Sequence, residues 1–194
     1  MEIRTLQLGM LQTNCYIAWA KNARGCVVVD PGDEPERVVQ CLEALGRNPE
    51  AIVLTHGHFD HIGGVAALQE TYRCPVYLHD GDLHLPLTMT GSQLTGTTHY
   101  AEGDMLLLAG LKIKVIHTPG HTPGSVCLLC EDVMFSGDTL FAGSIGRTDF
   151  PGSDHRAMMQ SLVRLANLSG NYRVLPGHAE ESTLDEERRS NPFL

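Results

Sequence analysis

The chain has 194 residues and a mass of 21.2 kDa. That is enough for one ordinary domain whose core needs no disulfide staple. With 42% hydrophobic and 19% charged residues it is neither a disordered tail nor a coiled coil. Fourteen Lys and Arg against 23 Asp and Glu leave a net charge of −9, which argues against a nucleic-acid or anionic-membrane surface.

Taken in order, 3–8, 15–20 and 26–30 read as three strands divided by short polar or Gly-containing turns. A helix is expected over 34–45, capped by Asp33, with Val38, Cys41, Leu42 and Leu45 on one face and Gly46 to end it. A buried strand at 51–55 precedes a His-rich loop, a helix over 62–72 and a strand at 76–79. The stretch 83–103 reads as irregular and is too long for a plain connector. It offers Leu85, Leu87, Met89 and Tyr100 either as apolar cover for a substrate or as packing at an oligomer edge. Strands follow at 105–108, 111–117, 125–130 and 133–135, then a helix over 154–168, a strand at 173–175 and a charged helix at 184–189. No Pro- or Ser-rich linker divides this order, so one domain over 1–194 is expected, built as a four-layer αββα sandwich of two mixed sheets. The long apolar run of a membrane span is absent. The first 19 residues also lack the basic head and apolar stretch of a secretory signal, which makes a cytoplasmic location the expectation.

Six cysteines are scattered among apolar neighbours, the pattern of buried reduced thiols. Cys127 and Cys130 form a Cys-x-x-Cys, yet they lie within an apolar strand, where residues three apart face opposite ways. They are therefore not expected to hold one ion.

The residues with chemistry in them cluster at strand ends. Thr55-His56-Gly57-His58-Phe59-Asp60-His61 follows a strand and opens a helix, the loop position that α/β folds use for sites. In an extended segment His56, His58 and Asp60 would project to one side and His61 to another. Three imidazoles and a carboxylate within six residues could then serve two adjacent ions. His121 in a Pro- and Gly-rich turn, Asp138 past an apolar strand and His178 in Pro176-Gly177-His178 repeat the strand-then-ligand context. His79, His84, His99, His117 and His155 lack it and are read as non-ligands.

This set, with Val29-Asp30-Pro31-Gly32 ahead of it, resembles the five-motif signature of the metallo-β-lactamase superfamily, in the family's order and over nearly the whole chain. Ser136-Gly137-Asp138-Thr139-Leu140-Phe141, Gly146-Arg147-Thr148-Asp149-Phe150 and the ending Asn191-Pro192-Phe193-Leu194 are most similar to the short, single-domain glyoxalase II-like hydrolases. The resemblance implies a two-metal site. His56, His58 and His121 would hold one ion and Asp60, His61 and His178 the other, while Asp138 bridges them with a water or hydroxide. Asp30 would hydrogen-bond a ligand loop. Asp60 and Asp138 are thus the expected catalytic carboxylates. Two divalent ions are implied, zinc first, with iron or manganese acceptable to the same donors.

The implied reaction is thioester hydrolysis by a metal-bridging hydroxide, with S-D-lactoylglutathione or a related hydroxyacyl thioester as substrate. A thiol with pKa near ~8.5 leaves without a strong general acid, whereas an amine needs protonation. Asp138, where the zinc β-lactamases usually carry cysteine, argues against antibiotic hydrolysis. The resemblance to the short branch implies that the helical domain completing the glutathione site of full-length glyoxalase II is not expected within 1–194. Arg147 then becomes the candidate substrate-binding cation, with an exposed charge paired to Asp149 as its plain alternative. The expected partners are a small-molecule thioester and, through an oligomer edge, a second copy of the chain, with no nucleic acid and no membrane. Two rivals share the motif set. Persulfide dioxygenases would use one iron on His56, His121 and Asp138, and nucleases would need a basic surface that a charge of −9 does not supply.

Overall fold

The computed structural model describes residues 1–91, 94 and 96–194; residues 92, 93 and 95, within the expected irregular stretch, lie outside it. Two six-stranded sheets face each other with helices on their outer sides. The first sheet takes β1 (Glu2–Leu8), β2 (Thr13–Trp19), β3 (Gly25–Val29), β4 (Asn48–Val53), β5 (Val76–His79) and β6 (Thr97–Tyr100) in sequence order. β1 to β3 pair antiparallel and β3 to β6 pair parallel. The parallel crossovers carry α1 (Pro35–Leu45), α2 (Phe59–Ile62), α3 (Val65–Tyr72) and α4 (Leu87–Thr90).

The second sheet is built from β7 (Met105–Leu108), β8 (Leu111–His117), β9 (Val126–Cys130) and β10 (Val133–Gly137). A small hairpin of β11 (Leu140–Phe141) and β12 (Ser144–Ile145) and then α5 (His155–Ala166) follow. β13 (Arg173–Pro176) and β14 (Ser182–Thr183) complete the sheet before α6 (Leu184–Ser190). Its spatial order is β14-β13-β10-β9-β8-β7, and β10 pairs parallel with β13.

β9 shows how the layers are made. Val126, Leu128 and Cys130 belong to the core between the sheets, while Cys127 and Leu129 belong to a second core under α5 with Met158, Leu162 and Leu165. Period-two alternation therefore feeds two cores at once, and a slip of one residue would exchange them. Each such fully buried aliphatic stabilises the fold by roughly 1.5–3 kcal/mol. Cys127 and Cys130 lie in different cores, so the pair shares no site, and all six cysteines are free thiols. Across the sheets Tyr16 packs on Phe135 with ring centres 5.4 Å apart.

Four expectations need correction. The helix expected over 62–72 is two helices, because the loop after β3 presses on the glycine pair between them. Gly64 donates its N–H to Pro31 O at 2.8 Å, and a Cβ on Gly63 would lie 2.3 Å from Gly32 O. α1 begins one residue later than expected, with Pro35 in its first turn and Glu34 at the cap; Asp33 instead accepts from Glu34 N. The stretch 83–103 holds α4 and β6, and Tyr100 turns inward to donate its hydroxyl to Leu54 O. The hairpin of β11 and β12 was not expected at all.

Candidate metal centre

The candidate ligands gather at one edge of the sandwich, where β4, β8, β10 and β13 end. His56 and His58 follow β4, and His121 sits in the turn after β8. Asp138 follows β10 and His178 follows β13. All seven ligand candidates come together in three overlapping groups: His56, His58 and His121; His56, His61 and Asp138; and Asp60, His61 and His178. Within each group the ligand-type atoms lie within 4.8 Å of one another. Simple alternation put Asp60 with His56 and His58, and here it misleads. His58 caps α2, so the chain turns helical at Phe59 and carries Asp60 to the side of His61 and His178. The five histidines read as non-ligands stay out of all three groups. His79 stacks on His117 with ring centres 4.2 Å apart, and His99 pairs with Asp80.

Hydrogen bonds at the outer ring nitrogens decide what the inner ones can do. His61 Nδ1 lies 3.0 Å from Asp30 Oδ2 and donates to it. Thr55 Oγ1 gives its only hydrogen to the same Asp30 oxygen at 2.6 Å, so His56 Nδ1, 3.2 Å away, is the donor to Thr55. His121 Nδ1 donates to Arg147 O at 2.8 Å and His178 Nδ1 to Leu11 O at 3.2 Å. Each of these four rings thus turns Nε2 inward, and His58 meets the inward Nε2 of His121 through its own Nδ1 at 2.8 Å. Nε2 of His56, His58 and His61, with Oδ1 of Asp138, is buried without any hydrogen-bond partner. Buried polar atoms rarely go unpartnered, and lone pairs converging from several imidazoles and carboxylates are the donor set that a divalent cation satisfies. The residues fit a metal centre.

Asp138 faces both outer groups. Its Oδ2 is 3.4 Å from His121 Nε2 and 3.6 Å from His178 Nε2, and its Oδ1 is 3.4 Å from His61 Nε2. Asp60 Oδ2 lies 3.1 Å from His178 Nε2. Gly177 makes this approach feasible, since a Cβ there would come within 2.2 Å of Asp138 Oδ1. The charges divide accordingly. Burial, with its neighbours' positive charge added, pushes His56 well below the ordinary histidine range and His58 down to about 4. Burial also disfavours charge on His61, but Asp138 and Asp30 outweigh it and raise that ring well above the usual range. Against the upward push of burial, His61, His121 and His178 hold the Asp138 carboxyl below its usual range.

Asp30 is 2% exposed and adopts a left-handed backbone, φ 48°, which marks a conformation held in place by its surroundings. One carboxylate sequence reasoning missed is Asp82, after β5. At 3% exposure it accepts from Gly57 N at 2.8 Å, Thr122 Oγ1 at 2.8 Å and Gly124 N at 2.6 Å, clipping the His56–His58 loop to the His121 turn. Nothing in Asp80-Gly81-Asp82 tells this aspartate from its exposed neighbour, because its partners are 25 to 42 residues away.

The profile of the Metallo-beta-lactamase superfamily matches residues 8–178. The chain belongs to that superfamily. Among superfamily relatives, hydroxyacylglutathione hydrolase GloC of Haemophilus influenzae is 32% identical over 100% of the chain and 98% of its own length. Two solved superfamily structures superpose over nearly everything. BLEG-1, described as a B3 metallo-beta-lactamase, has a TM-score of 0.92 at 36% identity, covering 100% of this chain and 99% of that one. TTHA1623 in a di-iron-bound form has a TM-score of 0.90 at 42% identity, covering 98% and 100%.

The metal groups form the floor of a cleft of about 450 Å³, lined by Leu11, Phe59, Thr88, Met89, Phe141, Ile145, Arg147 and Phe150. Of the four apolar residues expected as cover, Met89 alone lines it. Leu85 and Leu87 line a neighbouring cavity, and Tyr100 is in the core. Arg147 stands at the cleft wall with its guanidinium engaged by Asp149 at 2.8 and 2.9 Å and stacked 4.2 Å over Phe150. No helix among the described residues is long and apolar enough to cross a membrane.

Proposed function

We propose that this superfamily member is a metal-dependent thioester hydrolase of the glyoxalase II type. His56, His58 and His121 would hold one cation, Asp60, His61 and His178 a second, and Asp138 would serve both. Two such ions, when bound, supply a lowered water pKa and a polarised carbonyl. The chain's own residues do the rest. Asp30, Thr55 and the Arg147 carbonyl fix the ligand tautomers, Asp82 holds the two loops of the first group together, and the cleft walls orient the acyl group.

One observation carries the choice of leaving group. Among the described residues lining the cleft, the titratable ones are His58, Asp60, His121, Asp138, Arg147 and His178, and all but Arg147 belong to the ligand groups. No acid is left over to protonate a departing amine, whereas a thiol leaves as its thiolate near neutral pH. The similarity to GloC over the full chain supports the same reading.

The test is hydrolysis of S-D-lactoylglutathione by protein of measured metal content, run beside a chromogenic β-lactam. Metal-dependent thioester turnover that is lost in His58→Ala is the expected result. Turnover of the β-lactam alone would overturn the reading in favour of the activity named for BLEG-1. ETHE1 from Myxococcus xanthus, a solved structure 29% identical with a TM-score of 0.88, keeps one rival in view, oxygenation of a persulfide at a single iron on His56, His121 and Asp138. Oxygen uptake with glutathione persulfide at one iron per chain, without thioester turnover, would put that reading first.

A further inference from the structure

The walls of the cleft disagree with a glutathione carrier. A glutathionyl group brings two carboxylates and an ammonium, and a site built for it needs cations in reach. Arg147 is the single Lys or Arg among the described residues lining the cleft, and the Nε–Nη2 edge of its guanidinium is held by Asp149 in a two-bond pair. Thr88 apart, the surrounding side chains are apolar: Leu11, Phe59, Met89, Phe141, Ile145 and Phe150. Two of these are large hydrophobics kept open to solvent, Leu11 at 54% and Phe59 at 49% exposure, and Phe59 stands between two metal-ligand candidates in sequence. Apolar surface left open around a polar floor marks a ligand site.

Resting on the thioester reading above, we infer that the preferred substrate is a thioester of an apolar acyl group, several carbons long, on an uncharged thiol carrier, with the acyl chain lying against these six side chains. The polar floor takes the carbonyl and sulfur, the only polar atoms such a substrate presents there, and the walls take the methylenes. Removing a methylene from water is worth about fourfold in an equilibrium constant when burial is complete. A cleft open on one side should yield at least about twofold.

Two measurements separate this inference from the reading it rests on. The first is calorimetric titration of metal-free protein with non-hydrolysable S-methyl to S-hexyl thioethers of N-acetylcysteamine. Affinity should rise about twofold or more per methylene, and Leu11→Ser should flatten that slope. The second is kcat/KM of the metal-loaded enzyme on acetyl to hexanoyl thioesters of the same carrier, with S-D-lactoylglutathione alongside. The expected outcome is the same rising slope, with hexanoyl thioester preferred to lactoylglutathione. A flat slope in both, or preference for lactoylglutathione, overturns the apolar substrate and leaves thioester hydrolysis standing. A rising binding slope with no thioester turned over by protein holding two metals overturns the hydrolase reading instead, and the substrate class with it.

Discussion

The two outer ligand groups of the candidate centre are built differently. His56, His58 and His121 are all buried, and burial together with neighbouring histidines lowers the proton affinity of the first two. Asp60 and His178 of the other group are partly open, and carboxylates beside His61 raise its proton affinity. One group is a closed cage of three buried imidazoles. Its neighbour is a half-open cradle in which a carboxylate, Asp60, stands beside two imidazoles whose proton affinity is raised. The difference is one of exposure: His58 and His121 line the same cleft as Asp60 and His178, but the latter two are the more open to solvent, while the imidazole cage is braced by the loops behind it. A bound cation should therefore leave the open cradle sooner than the cage.

The residue common to both sides is Asp138, so the largest effect is expected there. Asp138→Ala should lower kcat/KM by about a thousandfold or more, the scale of losing several kcal/mol of charge stabilisation, and should reduce bound metal from two ions to one. Near-normal kinetics, or metal content unchanged by elemental analysis, would contradict the bridging position. Stripping metal from the whole centre tests it as a unit. An ion present at about 1,000 times its Kd stabilises the fold by about 4 kcal/mol, and a chain of this length loses roughly 10 °C in Tm without it. Calorimetry showing equal Tm with and without metal would mean that the cluster is not a binding site.

The bracing aspartates sharpen the contrast. Asp82 touches the loops of the imidazole cage alone, whereas Asp30 reaches His61 directly and His56 through Thr55. Asp82→Ala should weaken the first ion by about 10- to 100-fold and spare the second, while Asp30→Ala should weaken both. Competitive chelator titration resolves the two affinities; identical profiles for the two variants would erase the distinction. The smallest effect belongs to Arg147. With its guanidinium exposed and taken up by Asp149, Arg147→Ala should change KM for S-D-lactoylglutathione by less than about threefold. A larger rise in KM, with kcat unchanged, would restore Arg147 as an anchor for the carrier.

Much of this was legible in the chain. Strands that alternate or run fully apolar, such as β5, β7 and β8, stand where periodicity places them, and all seven ligand candidates reach one edge because each follows a strand. What failed did so for physical reasons. β6 buries Tyr100 as its one inward residue, so it has no alternation to read, and the arms of the β11–β12 hairpin are two residues long. The break between α2 and α3 is imposed by carbonyls arriving from the loop after β3, a contact no local pattern encodes. Alternation alone sets Asp60 beside His56 and His58, because it assumes an extended chain and the chain turns helical one residue earlier; the family resemblance groups it with His61 and His178, as found. Asp82 was invisible for a related reason, as its meaning lies wholly in distant backbone N–H groups and one hydroxyl.

The sorting of neighbouring cysteines into separate cores also equips the molecule with its own reporters. Burial pushes the Cys127 and Cys130 thiols up to about 11 and Cys26 to about 12, so in the closed state they offer alkylating reagents almost no thiolate. Since Cys127 packs under α5 and Cys130 between the sheets, Cys127 should become reactive if α5 lifts from the second sheet, and Cys130 if the two sheets part. Pulse labelling followed by mass analysis of the 126–130 segment would then time the opening of each layer separately. A single strand serves as a two-channel clock for how the molecule comes apart.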